Sequence, residues 1–280
     1  MEISIRHLSA ADIETADRIL MAAFETPESR VAEMRRYLEI QPDGWFVAKQ
    51  AGVLLGMVGA VDYSVFAYIG LMAVQPEFQG HGIGRLLMER LLGWLDQRGS
   101  PSLLDATEMG YPLYKKLGFV ETDLACVYIQ DQPVEFEPLA TPVYTLQPAD
   151  LDELAAFDTP LFGADRSSVL RVLMRDYPGR TLATRDEAGK ISGYCINRER
   201  RMSPWMACDP ASAERLLQAA LASSVPGKPA AIIPRLNRAG MQLLERYGFT
   251  FKRSCRHMQR GPVPVRQRTK TYGLTSFAVG

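Results

Sequence analysis

Six consecutive residues, Gln79-Gly80-His81-Gly82-Ile83-Gly84, carry glycine at alternate positions where an apolar strand pattern gives way to a helical one. Glycine allows backbone conformations closed to other residues and lets a ligand approach the main chain. At a helix start the first N–H groups lack intrahelical partners, and the positive end of the helix dipole faces the same way. Such a loop can seat a pyrophosphate without a lysine. Spacing removes two other phosphate loops. A Walker loop closes on Gly-Lys-Ser/Thr, whereas Gly84 precedes Arg85-Leu86. A dinucleotide GxGxxG starting at Gly80 or Gly82 needs glycine at 85 or 87, where Arg85 and Leu87 stand. Glycine density alone also fits a turn with no ligand. Arg85 is either an added charge for the ligand or a solvated residue of the first helical turn, and His81 is a loop residue whose main chain matters.

The surrounding pattern supplies elements to position this loop. Residues 3–6 alternate as a short strand, 10–24 and 30–38 have helical periodicity, and 46–49 with 53–63 read as a hairpin turning near Gly52. Residues 68–74 form an apolar strand that feeds the loop. Ile83, Leu86, Leu87, Leu91, Trp94 and Leu95 make one helical stripe after it. A strand at 103–105, a helix at 109–117 and a strand at 120–129 complete the unit. Residues 131–142 carry Pro133, Pro138 and Pro142 and read as a linker.

The remainder repeats the plan. Gly189-x-x-x-Gly193 echoes Gly52-x-x-x-Gly56, and Tyr247-Gly248-Phe249 echoes Leu117-Gly118-Phe119. Pro76 precedes Leu86-Leu87 by ten residues, but Pro210 precedes Leu216-Leu217 by six. The second copy is four residues short where the first has its glycine loop. The expected organisation is a domain at 1–130, a linker at 131–142, and a second domain at 143–280 without the pyrophosphate loop.

Gln79-x-x-Gly82-x-Gly84 after Val74-x-Pro76, followed by Leu113-Tyr114-x-x-x-Gly118-Phe119, resembles the acyl-CoA motifs of the GNAT superfamily of N-acyltransferases. The resemblance covers roughly residues 1–130. It implies an α/β fold, or more closely an α+β mixed sheet: tandem GNAT-like domains, each a mixed, largely antiparallel sheet flanked by helices. It implies acetyl-CoA as co-substrate with no metal, and an amine acceptor, small molecule or peptide. Main-chain groups of Leu71, Met72, Ala73 and Val74 would hold the acetyl and pantetheine portion beside a splayed strand. Gln79, Gly80, His81, Gly82, Ile83 and Gly84, with Arg85, would hold the pyrophosphate. Met72 N–H is the implied oxyanion donor and Tyr114 the acid for the departing thiolate, with helix packing as the plainer role for that tyrosine. Many family members have asparagine eleven residues before the Gly-Phe glycine; here that position is Thr107, whose hydroxyl can still bond pantetheine. The acceptor class and any general base stay open, with Asp62, Glu25 and Glu108 as positional candidates.

In the second half the matching positions are Asn237 and Leu244, so it keeps the asparagine but lacks both the loop and the tyrosine. It is expected to wall the acceptor pocket or support the first half. Pro160-Leu161-Phe162-Gly163-Ala164-Asp165-Arg166 resembles a segment of the C-terminal halves of tandem members, with Asp165 read as a helix cap and Arg166 as a local partner. The stretch with Arg260, Arg266, Arg268 and Lys270 reads as a solvated tail closing in a strand at 271–279.

Lys plus Arg equal Asp plus Glu at 32 each, which argues against nucleic acid held by bulk charge. Cys126, Cys195, Cys208 and Cys255 are far apart, with no zinc spacing, and read as thiols in a reducing compartment. Residues 1–6 lack the order of a signal peptide, and no apolar run approaches a membrane span, so a cytoplasmic location is expected. A competing reading from another class is an acyl-CoA-binding regulatory module without turnover.

Overall fold

The protein is described by a computed structural model over residues 2–137, 142–223 and 227–280. Pro138 of the expected linker lies outside the described residues. The first half runs β1 (Ser4–His7), α1 (Ile13–Ala23), α2 (Val31–Ile40), β2 (Trp45–Gln50), β3 (Val53–Asp62), β4 (Ala67–Val74), α3 (Ile83–Asp96), β5 (Ser102–Ala106), α4 (Tyr111–Lys116) and β6 (Val120–Gln130). The second half runs β7 (Tyr144–Thr145), α5 (Leu151–Phe162), α6 (Ser167–Asp176), β8 (Thr181–Arg185), β9 (Ile191–Arg198), β10 (Arg201–Ala207), α7 (Pro210–Ala222), β11 (Ala230–Pro234), α8 (Arg238–Arg246), β12 (Phe249–Arg260) and β13 (Thr271–Gly273). The repeat is in register. Gly56 of β3 faces Val74 at the end of β4, and Gly193 of β9 faces Ala207 at the end of β10.

All strands join one mixed, mostly antiparallel sheet in the order β1-β2-β3-β4-β5-β12-β6-β11-β10-β9-β8-β7, with β13 paired to β10. Chain order and sheet order part company at β12. β12 of the second half lies between β5 and β6, with Arg256 facing Ala106 and Ser254 facing Cys126. In turn β6, the last strand of the first half, pairs with β11. Each copy therefore extends its sheet with a strand of the other, β12 for the first and β6 for the second.

Because both sheet faces are covered, the central strands are apolar without alternation; β3 is buried from Leu54 to Val61. On one face a single core joins Ile19 and Met34 of the first half to Leu170 and Tyr194 of the second. On the other, Ile83, Leu87, Leu91 and Leu95 of α3 pack with Tyr114 and Phe119. Leu86, expected in that stripe, is 42% exposed.

The C-terminal stretch differs from the expected solvated tail. β13 ends at Gly273, and residues 274–280 continue as irregular chain that is buried at every position except the half-buried Phe277. A Cβ on Gly70 would meet Ala278 Cα at 2.2 Å, so these residues lie directly on β4. Tyr63 Oη donates to Val279 O at 2.8 Å. Arg268 is only 9% exposed and Arg266 half-buried. Local composition gave no hint of this, because the covering surface comes from elements a hundred or more residues away.

Candidate active site

The site is built where β4 leaves β5. The two strands pair in parallel only at Ala67–Ser102, Tyr68–Leu103 and Ile69–Leu104. Beyond Ile69 the β4 ladder with β3 slips, Leu71 takes a left-handed φ of 52°, and Leu71 and Met72 stand outside both ladders. A bulge of this kind bends the strand and releases main-chain groups from the sheet. The β5-facing edge of Gly70 to Val74 is left as a slot.

At the far end of the slot lies the glycine loop. Gly80 and Gly82 both have φ of 80°, and Gly82 is the N-cap of α3 with no side chain capping the helix. A Cβ at either glycine would meet nothing within 4 Å, so the main chain faces open space. Gln79 Nε2 donates to Val74 O at 3.1 Å, tying the loop to the end of β4 rather than presenting an amide to a ligand. His81 is exposed, its Nδ1 2.9 Å from Gln79 O. Arg85 is committed through Nε to Glu89 Oε1 at 2.7 Å, which leaves its outer nitrogens for other use. Met72 reaches across to Gly84, where an added Cβ would lie 2.7 Å from Met72 Cε.

Tyr114 is placed by α4, which Pro112 starts and a left-handed Gly118 (φ 86°) stops. Its ring packs edge-on to Phe119 at 6.0 Å. Its hydroxyl has no hydrogen-bond partner among the described residues. Burial, and secondarily Cys255 from β12, push the phenol well above its ordinary pKa, so it stays protonated at neutral pH. Thr107 Oγ1 accepts from Gly110 N at 3.3 Å and so helps start α4.

On the opposite face of the sheet the structure assembles a group that sequence reading missed. Tyr68 Oη donates to Asp105 Oδ2 in a short hydrogen bond, and Asp105 Oδ1 lies 2.9 Å from His257 Nδ1. Asp105 is one residue past the last residue of β5 paired with β4, and it faces His257 across the ladder with the exchanged strand β12. Burial most strongly opposes ionisation of Asp105, yet His257, Arg268 and Tyr68 hold its pKa below the ordinary value. Burial, then Arg268, lowers the pKa of His257. The consistent state is an Asp105 carboxylate accepting from Nδ1–H of a neutral His257. Nε2 then carries a lone pair and has no partner among the described residues. The only signal in the sequence was an aspartate closing an apolar strand; its partner is 152 residues away.

That arrangement has a measurable cost in acid. Below about pH 6.5 an unfolded His257 takes up a proton that the folded one resists, so the unfolded state binds more protons and stability falls as pH falls. The slope contributed is at most about 1.4 kcal/mol per pH unit. Urea midpoints between pH 8 and 5.5 should fall less steeply for His257→Gln than for wild type. Equal slopes would remove the neutral-histidine assignment.

The three positional candidates for a base are placed as follows. Asp62 Oδ1 accepts from Ser64 N and Ser100 Oγ, both at 2.9 Å, and serves the hairpin turn. Glu25 is exposed in a left-handed turn, and the side chain of Glu108 is 75% exposed against Arg256.

The matching place in the second half is filled from within. β10 and β11 pair in parallel only at Arg201–Ala230, and β13 enters the split beyond, pairing Trp205 with Gly273 and Met206 with Thr271. Asn237 holds that strand, donating from Nδ2 to Thr271 O at 2.9 Å. The start of α7 is capped by the Asp209 carboxylate, which accepts from Ser212 N at 2.8 Å. Where α3 offers free N–H groups, α7 already has an anion. Asp165 Oδ1 accepts from Ser167 N at 2.7 Å at the start of α6, and Arg166 forms a buried fork with Asp158 at 2.7 and 2.8 Å.

A family model described as Acetyltransferase (GNAT) family matches residues 13–119, and one described as Acetyltransferase (GNAT) domain matches residues 154–273. An uncharacterized N-acetyltransferase of Bacillus subtilis, YitH, is 28% identical over 151 residues, or 52% of this chain and 52% of YitH. The matched segment thus spans about half the length of that curated relative. The solved structure of a putative acetyltransferase from Pyrococcus horikoshii superposes with a TM-score of 0.89 at 28% identity, covering 99% of this chain and 96% of the other. A GCN5-related N-acetyltransferase from Sphaerobacter thermophilus shares the fold over 95% of this chain and 98% of its own, with a TM-score of 0.71 at 19% identity.

Proposed function

We propose, because this chain belongs to the GNAT family of acetyltransferases, that its first half binds acetyl-CoA in the β4–β5 slot and passes the acetyl group to an amine presented from the opposite sheet face. The observation that carries this reading is the contrast between the two copies. One split is open and leads to an uncapped helix start, while the other is closed by β13 and Asp209. The occupied split also supports the fit. An extended three-residue strand lies beside Trp205, the counterpart of Met72 by the shared Gly56 and Gly193 register, so a slot of this shape accepts an extended amide chain such as pantetheine.

Acetyl-CoA, when bound, supplies an activated thioester. Leu71 to Val74 offer main-chain groups along the slot, and the N–H groups of residues 80–85 serve the pyrophosphate. Met72 N–H is the donor for the oxyanion that develops on the acetyl carbonyl; a fixed donor in a site closed to water needs no reorganisation at the moment of reaction. Tyr114 holds a proton for the departing sulfur, and its raised pKa keeps the phenol protonated at neutral pH. His257, oriented by Asp105, takes the proton that the amine releases. Thr107 donates its hydroxyl hydrogen to pantetheine while accepting from Gly110.

The first half, 1–130, holds the donor site on this reading, and the second half, 143–280, walls the acceptor side. Calorimetric titration of the full chain with acetyl-CoA should give one site per chain, with NAD giving none. Two sites would mean that β13 yields to the ligand, and no binding would reduce the glycine loop to a structural turn.

A further inference from the structure

The acceptor side of the slot holds two cations without enough partners. Arg266 and Arg268 follow β12 in a tight turn, with Arg268 N bonded to Arg266 O at 3.0 Å, and the charges of both act on His257. Gln267 N bonds Leu161 O at 3.0 Å and fixes this stretch to the end of α5. Arg266 Nε donates to Phe162 O at 2.9 Å, and its guanidinium sits 5.9 Å from the ring centre of Tyr68. Arg268 Nε donates to Asp123 Oδ2 at 2.8 Å. The rest is unspent: Nη1 of Arg266 and both Nη1 and Nη2 of Arg268 are shielded from solvent with no hydrogen-bond partner. Among the described residues no other arginine has both outer nitrogens in that state.

Buried donors are almost always paired, and a buried charge without its partner is strongly destabilising. Nearby carboxylates do not answer the need, because Asp105 is engaged by Tyr68 and His257. Burial and the charge of Arg268 bring the pKa of Arg266 down to about 10, and the one carboxylate bonded to the pair, Asp123, meets only Nε of Arg268. Tyr68 and Asp105 put this place beside the point where β4 and β5 part. The donor's phosphates belong to the glycine loop at the other sheet face, so the missing anion is not theirs.

We propose that Arg266 and Arg268 are a seat for the carboxylate of the acceptor, and that the acceptor is therefore a carboxylate-bearing amine, such as an amino acid. Planar guanidiniums match a carboxylate with paired N–H bonds, which a lone amine cannot replace. This assignment rests on the reading that the first half transfers acetyl to an amine, and the test separates the two.

Acetyl-CoA binding is measured first by calorimetry; its absence would strike the transferase reading and the seat's role with it. With binding shown, thiol release is followed for matched pairs: lysine and cadaverine, tyrosine and tyramine, the remaining standard amino acids and their decarboxylated amines. The carboxylate member should be preferred by at least about 10–100-fold in kcat/KM. In Arg266→Met and in Arg268→Met that preference should collapse through a KM raised for the carboxylate member alone, whereas a change in the base His257 alters kcat for both members alike, a split that a merely structural role would not produce. Arg266→Lys should recover part of it. Equal or better use of decarboxylated amines overturns the seat, as does preference for O-phosphoethanolamine over every carboxylate. If no amine is turned over, thermal midpoints decide: a rise with amino acids, absent in Arg266→Met, supports the seat. No rise with any of them means the guanidiniums are met by water only, and the proposal fails.

Discussion

Gly82→Glu abolishes acetyl-CoA binding while the protein remains folded. Two effects act together. Gly82 sits at φ 80°, a left-handed conformation that costs a residue with a Cβ about 1–2 kcal/mol. That cost alone is a small part of the stability of a chain this size. The loop is exposed and a Cβ there meets nothing, so there is no clash to unfold the helix. The second effect is the large one. The new carboxylate stands at the uncapped start of α3, where it caps the helix much as Asp209 caps α7. It then consumes the N–H groups that would meet the pyrophosphate and opposes it by charge. Losing two charge-assisted hydrogen bonds of about 1.5–3 kcal/mol each weakens binding ~10²–10⁴-fold before repulsion is added. Calorimetry on the variant, with circular dichroism to show a helix content equal to wild type, checks it. Wild-type affinity in a folded variant would end the case for this loop as the cofactor seat.

Tyr114→Phe lowers kcat for acetyl transfer about 10²–10⁴-fold and leaves acetyl-CoA affinity near wild type. The ring packs in the core beside Phe119, and phenylalanine keeps that packing. The hydroxyl makes no hydrogen bond among the described residues, so its removal strands no partner and should cost little stability. On the proposed mechanism its work is confined to the departing thiolate. A second signature separates an acid from a packing residue: the loss should shrink with an acyl donor whose thiol is more acidic. A variant with wild-type kcat would return Tyr114 to the role of an ordinary core aromatic.

What could be read from the sequence was local. The loop at 79–84, the strand before it and the helix after it are contiguous, so spacing alone places their chemistry. The repeat was legible because Gly56 and Gly193 keep the same position in both copies, opposite the ends of β4 and β10. Even the missing loop of the second copy was visible as a four-residue deficit. The rest depends on contacts between distant segments. Asp105 and His257 meet only because β12 crosses into the first half. Arg266 and Arg268 look like residues of a solvated tail, since neither prolines nor arginines in a row reveal that α5 and β4 will cover them. β13 reads as the start of a longer strand, and nothing local says that its place is a slot vacated by divergence from the other copy. Periodicity reports which face a residue turns inward; it does not report which element waits there.

The exchange of β6 and β12 between the halves ties the order of folding to the order of synthesis. A ribosome delivers about 5–20 residues per second. When β5 and β6 emerge, the position between them belongs to a strand more than a hundred residues downstream. Until residues 249–260 arrive, the nascent first half carries two unsatisfied strand edges, the kind of surface that invites pairing with a neighbouring chain. The second half, in turn, builds its sheet on β6, which is already made when β11 appears. Closure of the first half is thus held back until β12 has been made. Slowing or truncating synthesis before β12 should yield aggregation instead of a half-sized enzyme, and a ribosome stalled at residue 135 would hold no native first half to release.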